Sequence, residues 1–247
     1  MSQVKSKNAP ACAELLYAST EHSPEMLYLA RMFVPDPFIA MRIGKRSMGV
    51  FSQLEIARAH KQSAFTKIVS LEECRIKASA RFPRMKITAA EVIAYLAETL
   101  GIKTFCVPES FPTGLAMRLA KLRVKVEPRS EPFFAEQMVK SAEELLQLKK
   151  ANRVASAALA CAEKMLTSAS IVGRKLMLDG KPLTSERVRM ALEITALEHG
   201  AQMECIVAGG DQACDPHEQG SGPLRPHELI IVDVFPRLKA TGYYGDM

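Results

Sequence analysis

Apolar positions along this chain repeat at two periods, and the alternation between them outlines the fold. FIAMRI (38–43) is a β-branched and aromatic run that stops at Gly44-Lys45, and Ser47 to Phe51 follows it, so the two runs predict a hairpin. Ahead of it, MLYLARMF after Ser23-Pro24 is a short apolar segment, and residues 1–20, polar and then Ala-rich, read as an arm outside the fold. Helical spacing returns in QLEIARAHKQ (53–62) and again from Leu71 to Ala80, with a short apolar segment at Ile68-Val69 between them. Thr88-Ala-Ala-Glu91 is a capping box that opens a helix with Val92, Ile93, Leu96 and Leu100 inward, and Gly101 stands where it must stop. IKTFCV (102–107) predicts a strand, Pro112 a helix start, and RVKV (123–126) a strand with one wet face. Strand, helix, strand, helix in this order predicts an α/β sandwich of about 125 residues.

A second pattern begins after Pro128 and Pro132. Ser141-Ala-Glu-Glu144 is another capping box, and Leu145, Leu148, Ala151, Val154, Ala158 and Leu159 predict the inward stripe of a long helix reaching about Leu166. Asp179-Gly180 marks a turn, Thr184 caps a helix over 185–198, and Gly200 ends it. Strand and loop follow. The run ELIIV (228–232) delivers Asp233 into an apolar strand, and Asp246 closes a second strand after Gly242-Tyr243-Tyr244-Gly245. A carboxylate in an apolar strand is costly without a cation or hydrogen bond to satisfy it, and two on adjoining strands can share a metal ion.

Charge divides the chain at the same place. Residues 1–140 carry 21 Lys and Arg against 13 Asp and Glu, a balance of +8, whereas 141–247 carry 12 against 14. We therefore expect two domains, 1–130 and 138–247. The basic charge of the first half is dispersed and not interleaved with aromatic residues, which argues against nucleic acid as a partner. No apolar run reaches the roughly 18–20 residues of a membrane span, and Glu14 interrupts the place of a signal-peptide core, so no membrane partner and a cytoplasmic location are expected. The six cysteines lack CxxC spacing, and reduced thiols are expected.

Among candidate chemical groups, Asp233, Asp246 and His217 stand out. Cys214 and His217 have CxxH spacing, but no second pair accompanies them to complete a zinc site. His22, His60, His199 and His227 read as structural or surface residues, and Gly209-Gly210-Asp211 as a tight loop, since no Lys-Ser/Thr follows to make a phosphate loop.

The helix KSAEELLQLKKANRVASAAL, the Pro216-His217 pair, the strand ending in Asp233 and the closing Gly242-Tyr243-Tyr244-Gly245-Asp246 together resemble the pita-bread metallopeptidases, the family of aminopeptidase P, prolidase, creatinase and methionine aminopeptidase. The resemblance runs from Lys140 to Asp246, and an α/β domain ahead of it is similar to the aminopeptidase P, prolidase and creatinase members. It implies an α/β creatinase-N-like domain followed by the first half of an α+β pita-bread domain, two similar halves sharing one curved sheet. It further implies Asp233 and Asp246 as metal ligands and His217 as the histidine at the scissile region. In that family a further histidine and two glutamates complete a centre of two divalent metals, here manganese, cobalt or zinc, and those three ligands are absent from this chain. Two departures from the family are visible: Val234-Phe235-Pro236 stand where a glycine usually follows the first aspartate, and the connection between the aspartates is about two residues longer.

The activity so implied is hydrolysis of the bond before proline in peptides with proline at the second position, by an enzyme that is a homodimer when complete. The chain as it stands is expected to be incomplete and inactive, with Leu229, Ile230, Ile231 and Val232 presenting an uncovered apolar face. The alternative is a non-peptidase of the same fold, either a creatinase-like amidinohydrolase or a non-catalytic binding protein.

Overall fold

The computed structural model describes residues 13–247. It separates into two compact units, the first ending at Met138 and the second beginning at Val139.

The first unit runs β1 (Ala13–Ala18), α1 (Pro24–Ala30), β2 (Phe38–Ile43), β3 (Arg46–Phe51), α2 (Ile56–Gln62), β4 (Lys67–Ser70), α3 (Leu71–Arg81), α4 (Ala89–Leu100), β5 (Thr104–Pro108), α5 (Thr113–Lys121) and β6 (Lys125–Arg129). Its six strands form one mixed sheet in the order β4-β3-β2-β1-β5-β6. The predicted hairpin is β2–β3, with Ile43 opposite Arg46. Part of the expected N-terminal arm is instead β1, a central strand antiparallel to β2 and parallel to β5; residues 1–12 of that arm lie outside the described residues. Its sequence AELLYA has little β-branched content, so local propensity points away from a strand. Burial on both faces decides the matter: Leu15 packs into the core beneath α3, α4 and α5, and Leu16 into the opposite core with Met26, Phe51 and Phe134. The last strand also begins later than RVKV suggests, because Arg123 turns the chain at φ 63°. Of the cysteines, Cys106 in β5 is disulfide-bonded, a correction to the expectation of reduced thiols, while Cys74, Cys161, Cys205 and Cys214 are free.

Buried glutamates fasten this unit. Glu14 of β1 is 7% exposed and accepts from Arg129 at 2.7 Å and from Arg42 at 3.0 Å; Arg42 also pairs with Glu136. The Arg42 guanidinium lies 4.1 Å from the centre of the Phe134 ring. Phe133 and Phe134 are fully buried, so the segment after β6 is part of this core. In α4 the predicted capping box is complete, and its Glu91 is also bonded to Arg118 of α5 at 2.8 Å.

The second unit runs α6 (Ala142–Thr167), β7 (Ser170–Val172), β8 (Lys175–Leu178), β9 (Lys181–Pro182), α7 (Ser185–Glu198), β10 (Ala201–Gly209) and β11 (Ile230–Leu238). β7, β8 and β9 form a small antiparallel sheet, and β10 and β11 pair antiparallel over nine positions. Both capping signals hold, Ser141 with Glu144 on α6 and Thr184 on α7. The inward stripe of α6 differs from expectation at its start: Leu145 is exposed, and the stripe runs Glu144, Ala151, Val154, Ala155, Ala158 and Ala162. A glutamate can open a buried stripe here because its carboxylate accepts from the Ser141 N–H and the Tyr243 hydroxyl. The apolar run before Asp233 does not form one face either. Strand alternation sends Ile230 and Val232 into the core with Val207 and Leu192, and leaves Leu229 and Ile231 exposed. Among the described residues no helix is long and apolar enough to cross a membrane.

Two predictions follow from this packing. Burial acts upward on the Glu91 carboxyl, but the Thr88 hydroxyl, Arg118 and the Thr88 N–H outweigh it and hold it below the usual carboxylate range. A depressed folded pKa contributes stability above the unfolded value of about 4.3, and that contribution is lost as pH falls through the folded value. Urea midpoints should therefore drop further between pH 5 and pH 3 in the wild type than in Glu91→Gln; parallel curves would remove this role. In the second unit, Gly220 and Gly222 both have positive φ, of 79° and 74°. A Cβ at Gly220 would stand 1.9 Å from the Val207 carbonyl oxygen, and one at Gly222 would meet nothing within 4 Å. Gly222→Ala is expected to cost about 1–2 kcal/mol for its backbone alone and Gly220→Ala about 1–3 kcal/mol more, read from denaturation midpoints. Equal losses would contradict the packing.

Candidate functional site

The site is built on β10 and β11. Alternation gives their pair two different faces. Ala201, Met203, Cys205 and Val207 with Val232, Val234 and Leu238 face the helical core, and Gln202, Glu204 and Ile206 with Asp233, Phe235 and Arg237 face the other way. Asp233, opposite Ile206, is therefore on the open face and half-buried.

Residues 243–247 return along the outer edge of β11. Leu238 N–H donates to Tyr243 C=O at 3.0 Å and Gly245 N–H to Pro236 C=O at 2.8 Å, while Val234 and Met247 exchange both bonds at 2.9 and 3.1 Å. These bonds set Arg237 opposite Tyr244 and Phe235 opposite Asp246. Asp246 and Asp233 are thus diagonal neighbours on one face, a relation that corresponds to about 7–8 Å between Cα atoms. Pro236 lies in the same ladder and has no N–H to return to Gly245, so the pairing has a gap at that point and the closing segment forms only an isolated bridge. This is the structural consequence of Val234-Phe235-Pro236 following the first aspartate.

The helix α6 holds the closing segment in place. Tyr243 hydroxyl donates to Glu144 at 3.0 Å, and Asp246 N–H donates to Asn152 Oδ1 at 3.3 Å. Gly245 between them lies against the helix backbone, where a Cβ would come within 2.5 Å of the Ala151 carbonyl oxygen. Glu144 is marked in the sequence by the capping box and Gly245 by the closing Gly242-Tyr243-Tyr244-Gly245-Asp246 motif, whereas Asn152 has no signal of its own.

His217 is exposed on the loop between β10 and β11. Its N–H donates to Asp215 Oδ1 at 3.1 Å, and Gly220 N–H donates to Glu218 Oε1 at 3.0 Å, so both flanking carboxylates serve the backbone of the loop. Val207 N–H donates to Gln219 C=O at 3.1 Å, and Arg189 of α7 donates to the Gln219 and Gly220 carbonyls at 2.5 and 2.6 Å. The loop is thereby anchored two residues from His217, beside Val207, the neighbour of Ile206 opposite Asp233. The structure brings the two aspartates together and anchors the His217 loop near the same strand, and among the described residues no hydrogen bond joins His217 to either aspartate.

Cys205 lies on the core face. Burial first, and then Glu193, push its thiol up to about 11, with Asp233 adding to the rise, so it stays protonated at neutral pH and is no competitor for a metal. The two aspartates offer hard oxygen donors, which suit divalent ions such as Mn²⁺. Among the described residues no three His, Cys, Asp or Glu side chains converge as a metal-binding group, so the pair fits part of such a centre. Glu204, opposite Phe235, adds a third carboxylate to the same face; the alternation of Gln202, Glu204 and Ile206 with Met203, Cys205 and Val207 was the signal that could have revealed it.

Residues 147–247 match metallopeptidase family M24. No curated protein is significantly similar in sequence. Among solved structures, the X-Pro aminopeptidase of Thermotoga maritima is similar with TM-score 0.72 and 17% identity, over 96% of this chain and 61% of that one. The prolidase of Pyrococcus furiosus gives 0.68 and 15%, over 95% and 64%, and the Xaa-Pro dipeptidase of Bacillus anthracis 0.69 and 16%, over 91% and 59%. The chain spans about three fifths of the length of these proteins. The α/β first unit and the β10–β11 unit thus have the fold of the prolidase and aminopeptidase P structures, and the second unit belongs to metallopeptidase family M24, the pita-bread metallopeptidases.

Proposed function

We propose that this protein is a metallo-exopeptidase that acts on the peptide bond before proline, with Asp233 and Asp246 as metal ligands and His217 as the group that steadies the reacting carbonyl. The observation that carries this reading is the register that makes the two carboxylates diagonal neighbours on one open sheet face. A pair of divalent ions, when bound, supplies a nucleophile at neutral pH and polarises the carbonyl. The chain's own residues do the rest. Asp233 and Asp246 hold negative charge at the site, and α6 fixes Asp246 through Asn152. Arg189 and Gly220 keep the His217 loop against β10, so that an imidazole N–H can donate to oxygen charge that develops during attack. The names of the similar structures, two acting on X-Pro bonds and one a prolidase, support the choice of proline.

Two carboxylates alone bind a divalent ion weakly. An affinity of about 1 mM, ~4 kcal/mol, is expected for the 247-residue chain, too little to keep a dinuclear centre ordered. Mn²⁺ titration by calorimetry should show this, with Asp233→Asn and Asp246→Asn each weakening binding while the circular dichroism spectrum stays unchanged. Metal binding that ignores both substitutions would overturn the ligand assignment. Cleavage of Ala-Pro by the purified chain is expected at trace level, favoured over Ala-Ala and abolished by a chelator. Turnover near the ~10 s⁻¹ common among enzymes would overturn the expectation of weak occupancy, and equal cleavage of Ala-Ala would overturn the proline preference.

A further inference from the structure

In the first unit, β4 forms one edge of the sheet, and a concavity of about 440 Å³ wraps around that edge. The volume falls within the about 300–1,000 Å³ of small-molecule sites. All four residues of β4 line it, together with parts of β3, α2, α3 and α4. Its apolar lining draws on both cores of the unit: Met48, Val69 and Leu96 pack with one, Ile56 and Ile68 with the other. An open strand edge is ordinarily a template for another strand, but β4 is only four residues long and carries Lys67 exposed, features that resist such pairing. The hollow therefore suits a small ligand rather than a further chain.

Charge collects at one place on its wall. Burial, the largest influence, raises the Cys74 thiol; Lys77 lowers it, Glu73 raises it and Lys67 lowers it, so three charged residues of the lining stand within reach of one sulfur. That thiol is buried and stays protonated, which makes it part of the floor and not a nucleophile. Glu73 and Lys77 have the i,i+4 spacing at which helical ion pairs form, yet among the described residues neither the Lys67 nor the Lys77 ammonium is ion-paired or hydrogen-bonded. Two ammonium groups against one carboxylate leave this wall with a surplus of one positive charge, and the His60 ring lies on the same lining.

We propose that this concavity binds a small monocarboxylate with an apolar body, its carboxylate between Lys67 and Lys77 and its body on Met48, Ile68 and Leu96. The surplus of a single positive charge selects one negative charge over two, since Glu73 repels a second anionic group. The apolar lining selects against an anion that has no body to bury. The site lies wholly within the first unit and is independent of the aspartates of the second.

The test titrates the 247-residue chain with 3-phenylpropionate, 3-phenylpropanamide, phenylsuccinate and acetate, by calorimetry and by saturation-transfer NMR. 3-Phenylpropionate should bind about tenfold or more tightly than its amide, the discrimination of one charge-assisted contact, and more tightly than phenylsuccinate or acetate. Lys67→Gln and Lys77→Gln should each weaken it, and the two together should bring the acid and the amide to equal affinity. Glu73→Gln should tighten phenylsuccinate more than 3-phenylpropionate. Lys125→Gln, at an exposed lysine of β6 on the opposite edge of the sheet, and Asp233→Asn should change nothing. Lys67, Glu73 and Lys77 are exposed, so their substitution leaves the core intact, and an unchanged circular dichroism spectrum checks this. Failure of the wild type to bind 3-phenylpropionate, equal affinity for acid and amide, a preference that survives the double lysine substitution, or an equal loss in Lys125→Gln would overturn the proposal.

Discussion

Where Gly245 meets α6, the helix backbone comes so near that a methyl group would stand 2.5 Å from the Ala151 carbonyl oxygen. Most of the site geometry depends on that approach. It lets residues 243–247 lie flat along the edge of β11, which fixes Asp246 in the row of Phe235 and two positions from Asp233. Pro236 has removed one hydrogen bond from this ladder, and the contacts to Glu144 and Asn152 compensate from the helix side. A segment held by helix contacts as much as by strand pairing keeps its register despite the gap, and register decides which face every side chain occupies.

Buried glutamates recur as fasteners across both units. Glu14, Glu91 and Glu144 are each nearly or wholly buried, and each answers the cost of burial with several donors. Glu14 joins β1 to Arg42 and Arg129 and through them to the segment carrying Phe133 and Phe134. Glu91 ties α4 to α5, and Glu144 ties α6 to the closing segment. In two of the three, a capping box that serves one helix locally has been extended to a second element by one further bond. Sequence motifs for helix ends thus become tertiary contacts at no additional buried charge.

The second anchoring device is backbone shape. Gly220 lies so close to the Val207 carbonyl that only a residue without Cβ fits, and Arg189 spans the carbonyls of Gln219 and Gly220. The loop that carries His217 is thereby tethered beside the strand opposite Asp233, although His217 itself is exposed. Exposure of the imidazole together with a fixed base is a suitable arrangement for a group that meets a ligand.

Local chemistry was legible in the sequence wherever it is decided within a turn or two. The capping boxes at Thr88 and Ser141, the cap at Thr184, the stop at Gly101 and the β2–β3 hairpin all stand where side-chain spacing puts them, because each is settled by bonds between residues within a few positions. Asp233, too, could be singled out, since a carboxylate in an apolar run is anomalous before any fold is known, whereas Asp246 stood out only through the Gly242-Tyr243-Tyr244-Gly245 motif ahead of it. Tertiary structure decided what depends on distant partners. AELLYA became a central strand because β2, β5 and two cores bury it on both sides, and Leu145 fell off the α6 stripe because Glu144 found Tyr243 ninety-nine residues away. The shared face of Asp233 and Asp246, the row of Arg237 and Tyr244, and the tether of the His217 loop follow from strand register and from close backbone approach. Neither is encoded in local periodicity, because a shift of one residue preserves the hydrophobic pattern's period while moving every side chain to the opposite face.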